Sequence, residues 1–373
     1  MRCRFTFLLF LLPTCSQVPT EAATSRSELD GDHLWSRRFG DSNSQYGRSI
    51  AADSQGNLLL TGEFYGDVDF GGGQLLSAGS SDIFLTKLAV GSGNHLWSQR
   101  FGDSNAQYAR GVAVDSQGNV LLTGMFRGTV DFGGGSLTSA GGLDAYIAKF
   151  DAQGSHLWSK SFGDANNQYG QGIAVDSGDN VWLIGSFYGT IDLGGGLLAS
   201  AGGLDVFVAK FDTSGNHIWS GRFGDAENQD GTAIALDAAG NALLAGTFEG
   251  SLDFGGAALT SAGGSDIFLA ILASDGGHVW SKRFGDPADQ FATSVAADPA
   301  NNVILTGQFE AVSISESARS RALERQISIL RSSPQLELRF GARSLEIRIH
   351  NSPTALSPTR PRTFCSSAHS MEA

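Results

Sequence analysis

Oxygen-bearing side chains recur at alternate positions of one short phrase, in an arrangement that could bind a cation. The phrase runs Asp41-Ser42-Asn43-Ser44-Gln45. Such spacing resembles the first half of a calcium-binding loop. The glycine that such a loop needs at its sixth position is replaced by Tyr46, and its acidic twelfth position is Ala52. The calcium candidates are Asp41, Asn43, Asp103, Asn105, Asp164 and Asn166. The alternative interpretation, a connecting loop closed by aspartate side chains, is favoured by the two missing features.

Five histidines stand at equivalent positions, each two residues before a tryptophan: His33, His95, His156, His217 and His278. A metal site needs ligand atoms at about 2.0–2.1 Å from one ion. Equivalent residues of successive repeats lie far apart, so we expect a structural role and no metal site. Trp35, Trp97, Trp158, Trp219 and Trp280 could stack on sugars, but packing between repeats is favoured. Trp182 has leucine equivalents in the first two repeats and is a candidate for an individual role.

Other chemistry-bearing positions are repeated too evenly to predict a single active site. The Gly71-Gly72-Gly73 triplet and its copies lack the Lys-Ser or Lys-Thr of a phosphate-binding loop, which predicts turns. Asp82, Asp144, Asp205 and Asp266 each precede a predicted strand. One gradient between repeats is visible: Arg48 and Arg110 become Gln171 and Thr232. No catalytic residue is predicted, because an enzyme breaks the symmetry of its repeats to build one site.

The elements that hold these residues are copies of one unit. The histidines are spaced 62, 61, 61 and 61 residues apart, and a fixed period indicates a repeat architecture. In the second unit four strands are predicted at 111–114, 120–126, 145–150 and 156–162, joined by turns rich in Asp and Gly. Helix should be nearly absent, because no sustained 3.6-residue apolar period occurs. These features predict an all-β fold, a β-propeller of four complete four-stranded blades and a partial fifth over residues 33–310. A parallel β-helix is the rival, although its rungs contain no antiparallel hairpins.

The phrases GNVLLTGMFRGTVDFGGG, SAGGLDAYIAKFDAQG and HLWSKSFGD resemble the bacterial beta-propeller repeat (SBBP) family over about residues 33–309. The resemblance implies a propeller on exported or cell-surface bacterial proteins, and it supplies no reaction. The family's name implies seven blades, whereas this chain has four complete units and part of a fifth.

Charge and cysteine content exclude several classes. The formal net charge is −13, and because residues 311–373 carry nine arginines against five acids, the rest of the chain is more acidic still. An acidic body argues against binding to nucleic acid or to an anionic membrane surface. The three cysteines, Cys3, Cys15 and Cys365, lie outside the repeats, so no disulfide framework is expected.

The N-terminus is predicted to be an export signal. Arg2 and Arg4 precede the apolar run 5–12, which is too short to span a membrane. A bacterial lipobox would place the lipid on Cys15, and ordinary cleavage would fall near Ala22-Ala23. The predicted organisation is therefore a signal peptide at 1–23 and a linker at 24–32, in a secreted protein or an outer-surface lipoprotein.

The composition changes abruptly at Ala311, where Arg, Ser and Pro replace Gly and Lys. Two interpretations remain open for the tail at 311–373: a frameshifted or truncated gene, or a genuine extension that is partly disordered. Segments 336–340 and 345–349 alternate apolar and charged residues and could form a hairpin that patches the open blade. The strand predicted at 33–39 could instead complete the last blade and close the ring.

Two functions are compatible with the sequence. The first is a non-enzymatic, exported propeller that binds a protein or glycan partner, without a cofactor. The alternative is a polysaccharide-active lyase or hydrolase with its site on the propeller axis, which would require a carboxylate pair confined to one or two blades.

Overall fold

The computed structural model describes residues 33–309 and three later strands at 325–331, 337–341 and 344–348. The first repeat contains six strands. They are β1 Gln45–Ala52, β2 Leu58–Phe64, β3 Asp67–Asp69, β4 Gln74–Leu76, β5 Asp82–Leu88 and β6 His95–Phe101. Strands β1-β2-β5-β6 form one antiparallel sheet in that order, and β3-β4 form a separate short hairpin.

The same arrangement follows three more times. The second repeat contains β7 Gln107–Val114, β8 Val120–Phe126, β9 Thr129–Asp131, β10 Ser136–Thr138, β11 Asp144–Phe150 and β12 His156–Phe162. The third contains β13 Gln168–Val175, β14 Val181–Phe187, β15 Thr190–Asp192, β16 Leu197–Ala199, β17 Asp205–Phe211 and β18 His217–Phe223. The fourth contains β19 Gln229–Leu236, β20 Ala242–Phe248, β21 Ser251–Leu252, β22 Leu259–Thr260, β23 Asp266–Leu272 and β24 His278–Phe284.

Each four-stranded sheet is one blade, so the predicted β-propeller with four complete blades is confirmed. The first strand of each blade is its inner strand. Strand β1 contacts β7, β7 contacts β13, β13 contacts β19, and β19 contacts the first strand of the fifth repeat. No helix occurs among the residues that the structure describes, as expected. Within that part of the chain, accordingly, no helix could cross a bilayer. The short hairpin of each repeat was not predicted, because strands of two or three residues flanked by glycines carry little pattern.

Blades pack face to face, which explains the nearly continuous apolar character of the central strands. Every residue of β8 and β11 is buried. Phe101 of the first blade lies 5.1 Å from Phe132 and 5.3 Å from Phe150 of the second, ring centre to ring centre. Full burial of one such side chain stabilises the folded state by about 1.5–3 kcal/mol. Since each interface contains several, interblade contacts supply much of the stability.

The fifth repeat departs from the others. It contains β25 Gln290–Ala297, β26 Val303–Phe309, β27 Arg325–Arg331, β28 Glu337–Gly341 and β29 Ser344–Arg348, in sheet order β25-β26-β27-β29-β28. Strand β27 pairs antiparallel with β26, where a third blade strand belongs. The pairing thus extends past residue 310, where the sequence placed the end of the propeller repeats. Strands β28 and β29 form the expected hairpin, and β29 lies beside β27.

The segment 33–39 packs on the first blade as an outer strand packs on the next blade elsewhere. Trp35 Nε1 donates to the Val90 carbonyl at 2.7 Å, and the Phe39 ring lies 5.0 Å from Phe70. It joins no sheet among the described residues. The inner face of the first blade is open: Ile50 is 44% exposed, whereas its equivalent Val112 is 6% exposed.

Candidate functional site

Every inner strand contains a β-bulge at the same place. The register with the second strand shifts around one extra residue, which has no partner across the ladder. The bulged residues are Arg48, Arg110, Gln171, Thr232 and Thr293. A bulge bends the strand and re-aims a side chain, and bulges are common beside active sites. The five bulges therefore place one divergent side chain from each repeat along the inner strands.

A glycine opposite each bulge makes the bend possible. These glycines are Gly62, Gly124, Gly185, Gly246 and Gly307. A Cβ on Gly124 would overlap the carbonyl oxygen of Tyr108, and one on Gly185 would overlap that of Tyr169. The repeated glycine is thus required by the close approach of the bulged strand, rather than by a turn.

The first two bulges share one buried carboxylate. Glu63 at the end of β2 is 2% exposed. Arg48 donates to its Oε1 through Nε at 2.8 Å and also through Nη2. Arg110, which belongs to the next blade, reaches Oε2 from Nη1 at 3.4 Å. The hydrogen bond to Glu63 raises the pKa of Arg48, while burial lowers the pKa of Arg110. Both guanidinium groups remain charged at neutral pH, so this end carries one net positive charge.

Two tyrosines complete this end. The Arg48 guanidinium carbon lies 5.1 Å from the centre of the Tyr46 ring, and that of Arg110 lies 5.5 Å from the Tyr108 ring. Cation–π contacts of this kind hold the guanidinium planes in place. The Tyr46 side chain and the Arg48 side chain are each 38% exposed, and Arg110 is 24% exposed. A ligand can therefore reach all three.

The fourth inner strand offers the opposite polarity. Ser186 donates from its hydroxyl to Asp230 Oδ1 at 2.5 Å and accepts from the Gly231 amide at 2.9 Å. Burial raises the pKa of Asp230, against the opposing hydrogen bonds from Ser186 and Gln171. The arc thus runs from a cationic end at the first two blades to a partly buried carboxyl at the fourth. We call this set the axial cluster: Tyr46, Arg48, Glu63, Tyr108, Arg110, Gln171, Ser186 and Asp230.

The sequence found only part of the axial cluster. It indicated the change from Arg48 and Arg110 to Gln171, but it missed Glu63, Ser186 and Asp230. The signal that could have found Glu63 is that its equivalents are all different: Met125, Ser186, Thr247 and Gln308. This divergence is visible only when the repeats are aligned and the residue that follows the repeated glycine is compared between them.

The calcium candidates lie in loops that are closed by their own hydrogen bonds. Asp103 Oδ1 accepts from the Asn105 amide and from Gln107 Nε2, each at 2.7 Å, and its Oδ2 accepts from the Thr129 amide at 2.9 Å. Asp41 with Asn43 and Asp164 with Asn166 repeat this local arrangement. Burial alone would raise the pKa of Asp164, but hydrogen bonds led by that from the Asn166 amide lower it to about 2. Among the described residues, no three potential metal-ligating side chains cluster.

The repeated histidines and tryptophans make structural contacts within and between blades. His95 Nε2 lies 3.0 Å from Ser98 Oγ, and the other three blade histidines repeat that contact. Trp97 Nε1 donates to the Ala152 carbonyl of the next blade at 3.1 Å. Trp182 is fully buried and meets Trp219 edge-on, with ring centres 5.3 Å apart. It therefore fills the space between the third and fourth blades and offers no surface to a ligand.

A buried lysine joins each of the first three blades to its successor. Lys149 Nζ lies 2.9 Å from Asp115 Oδ2 in its own blade and donates to the Thr213 carbonyl of the next at 3.3 Å. Lys87 and Lys210 do the same with Asp53 and Asp176. In the fourth blade Ile271 replaces the lysine.

The aspartate that begins each third strand has an arginine partner in three of the four blades. Arg100, Arg222 and Arg283 pair with Asp82, Asp205 and Asp266. In the second blade Ser161 stands where the arginine belongs. Burial raises the pKa of Asp144 there, and the nearby Asp164 adds to the rise.

Replacing Ser161 with Arg is expected to raise the free energy of unfolding by about 1–2 kcal/mol, because it supplies the partner that Asp144 lacks. The value is at the low end for a charged hydrogen bond, since the equivalent arginines are about a third exposed. Urea unfolding would measure it. Ser155→Arg, in an exposed loop of the same blade, is the control and should change little. Equal effects of both variants would contradict the missing-partner explanation.

A groove on the described residues is separate from the axial cluster. It measures about 680 Å³ and lies between the outer strand of the second blade and the third blade, lined by Lys160, Asp192 and His217 among others. We consider the axial cluster the stronger candidate, because Asp192 and His217 of the groove have identical equivalents in the other complete repeats.

Comparison with known proteins supports the repeat assignment. The family model described as "Beta-propeller repeat" (SBBP) matches residues 34–63 and 96–125. A protein of Acanthamoeba polyphaga mimivirus, named "Uncharacterized WD repeat-containing protein L264", is 26% identical over 37% of this chain and 11% of its own length. "Regulatory protein FlaEY" of Caulobacter vibrioides is 24% identical over 44% of this chain and 18% of its own. The chain thus spans less than a fifth of the length of either relative.

Solved structures that align with the chain have low scores. A Bacteroides caccae protein of unknown function aligns with a TM-score of 0.37 and 10% identity, covering 65% of this chain and 68% of that one. A glucose dehydrogenase aligns with a TM-score of 0.38 and 11% identity, over 70% and 79% of the two chains. The two family matches, at residues 34–63 and 96–125, confirm the resemblance of these repeats to the SBBP beta-propeller repeat.

Proposed function

We propose that this protein is an exported, non-enzymatic binding module whose axial cluster contacts a glycan partner. The observation that carries the proposal is the break in symmetry at the bulges. The scaffold positions are repeated from blade to blade, whereas the bulged residue and the residue beside the opposing glycine differ. A scaffold that is uniform except at one accessible row favours recognition at that row.

The chemistry of the row favours binding over catalysis. Both carboxylate oxygens of Glu63 are engaged by guanidinium groups within the protein, so they are not directed at a substrate. Asp230 is directed to Ser186 and lies on the fourth blade, so the two acids are not a matched pair in one blade. The mimivirus relative is named for WD repeats, which are themselves propeller modules, and this supports a binding role.

Export is part of the proposal. It is supported by the basic residues Arg2 and Arg4 ahead of a short apolar run, which lie outside the described residues. We propose a secreted or outer-surface location, with a lipid on Cys15 if the lipobox is used. Under this proposal the axial cluster meets ligands outside the cytoplasm.

The test is glycan binding by an axial variant. In the proposal, Tyr46 and Tyr108 offer ring faces to a sugar, so Tyr46→Ala/Tyr108→Ala should weaken binding at least about tenfold. Binding would be measured by titration against a panel of purified neutral and acidic oligosaccharides. Leu96→Ala/Leu157→Ala is the matched control, because both leucines are about half exposed on outer strands. Binding to no oligosaccharide, or equal losses in both variants, would contradict the proposal.

A further inference from the structure

We infer that the cationic end of the axial cluster recognises the carboxylate of a single acidic sugar residue within an otherwise neutral oligosaccharide. This inference rests on the proposed function and adds to it the chemical class of the ligand. It follows from three features of the cluster: unused guanidinium donors, a net charge of one, and the neutral polar groups that come next along the arc.

The guanidinium groups have donors to spare. Arg48 uses Nε and Nη2 on one oxygen of Glu63, and no acceptor for its Nη1 is found in the described residues. Within the part of the chain that the structure describes, Arg110 donates through Nη1 alone, to Glu63 and to the Ala109 carbonyl. Planar guanidinium forks match carboxylates in charge and in geometry. Since Tyr46 and Tyr108 hold the two planes, little side-chain freedom is lost when a ligand binds.

The charge limits the ligand to one carboxylate. Two arginines and one glutamate leave a single positive charge, within a chain of formal charge −13 that repels polyanions. Farther along the arc, Asp230 would oppose a second negative group.

Neutral polar groups continue the row. Gln171 follows the two arginines, and an amide both donates and accepts hydrogen bonds, as sugar hydroxyl groups require. Thr232 comes next; its hydroxyl donates to the backbone carbonyls of Ala245 and Ala292, and its oxygen can accept from a sugar hydroxyl group. The order along the arc thus matches one acidic residue followed by neutral sugars. With the rings of Tyr46 and Tyr108 beside the arginines, this order favours a glycan over an acidic peptide.

The chain supplies the design of the test variant. Other blades show which residues the fold accepts at these positions: glutamine at the bulge, as in Gln171, and methionine at the Glu63 position, as in Met125. The variant Arg48→Gln/Arg110→Gln/Glu63→Met therefore removes both cations without leaving a buried carboxylate unpaired. Thermal melting and circular dichroism would verify that it is folded at the assay temperature.

The experiment uses two matched oligosaccharides: xylotriose bearing one glucuronic acid, and the same molecule with the carboxyl group reduced to an alcohol. We expect the parent protein to bind the acidic form about 10- to 100-fold more tightly, as charge-assisted hydrogen bonds imply. The triple variant should lose that preference, so that it binds the two forms with similar affinity. Added salt should weaken only the acidic ligand's binding.

Failure of the inference and failure of the proposed function give different results. If both oligosaccharides bind equally and Tyr46→Ala/Tyr108→Ala still abolishes binding, the carboxylate inference is overturned and the glycan function stands. If triglutamate binds in an arginine-dependent manner and neither oligosaccharide binds, the proposal that the ligand is a glycan is wrong. A preference for the acidic form that persists in the triple variant would place the carboxylate elsewhere on the molecule.

Discussion

Lys149→Ala is expected to destabilise the propeller by about 3–5 kcal/mol, because it leaves a buried carboxylate without its cation. The side chains of Lys149 and Asp115 are 5% and 0% exposed. The substitution also removes the hydrogen bond to the Thr213 carbonyl, so it weakens the interface between the second and third blades. Urea unfolding of the variant and the parent would measure the loss. Lys160→Ala, on the partly exposed outer strand, should cost less than about 1 kcal/mol.

The destabilisation caused by Lys149→Ala should decrease as the pH falls. Burial alone would raise the pKa of Asp115, but hydrogen bonds led by that from Lys149 lower it below the usual value. Stability from a carboxylate with a lowered pKa is present above the unfolded pKa of about 4 and is lost as pH falls through the folded value. The difference between Lys149→Ala and the parent should therefore shrink below about pH 4. A difference that is unchanged from pH 7 to pH 3 would mean that packing, rather than the ion pair, explains the loss.

Gly124→Ala is expected to destabilise the second blade by about 3 kcal/mol or more, since overpacking that moves backbone lies at the upper end of such effects. The new methyl group would overlap the Tyr108 carbonyl and crowd the Tyr146 hydroxyl. The inner strand must then move away, which removes the bulge and turns Arg110 from its place. The variant should lose stability and acidic-sugar binding together.

Gly91→Ala provides the control for that prediction, because nothing lies within 4 Å of its Cβ position. It should change the free energy of unfolding by no more than about 0.5 kcal/mol. If Gly124→Ala changes the free energy of unfolding as little as Gly91→Ala does, the bulged strand is more adaptable than the structure indicates. The glycine would then be present at this position for another reason.

The repeat period was sufficient to predict the blades, because every unit carries the same alternation and the same turns. The period could not predict strand β27 at Arg325–Arg331, because its sequence matches no repeat. The strand pairs with β26 because it lies beside it in the fold. The short hairpins were also missed, since their strands hold two or three residues. Local pattern fails where pairing is decided by tertiary context.

The axial cluster shows a different limit. Sequence comparison placed Arg48 and Arg110 at matched positions, but their shared acid lies on the second strand of the first blade. Only the packing of neighbouring blades brings Arg110 to Glu63. The interpretation of the aspartate-rich phrase as a possible calcium loop depended on spacing alone, whereas the structure reveals donors already directed at each carboxylate.

The pairing of each bulge with a glycine has an evolutionary consequence. The constraint on the backbone is met by the glycine, so the bulge does not require one particular side chain. Natural selection can therefore change that residue without loss of the fold, as arginine, glutamine and threonine already demonstrate in five copies of one unit. Gene duplication then increases the number of bulge positions that can vary independently. A few residue types at each position are enough to generate many ligand preferences from one ancestral repeat.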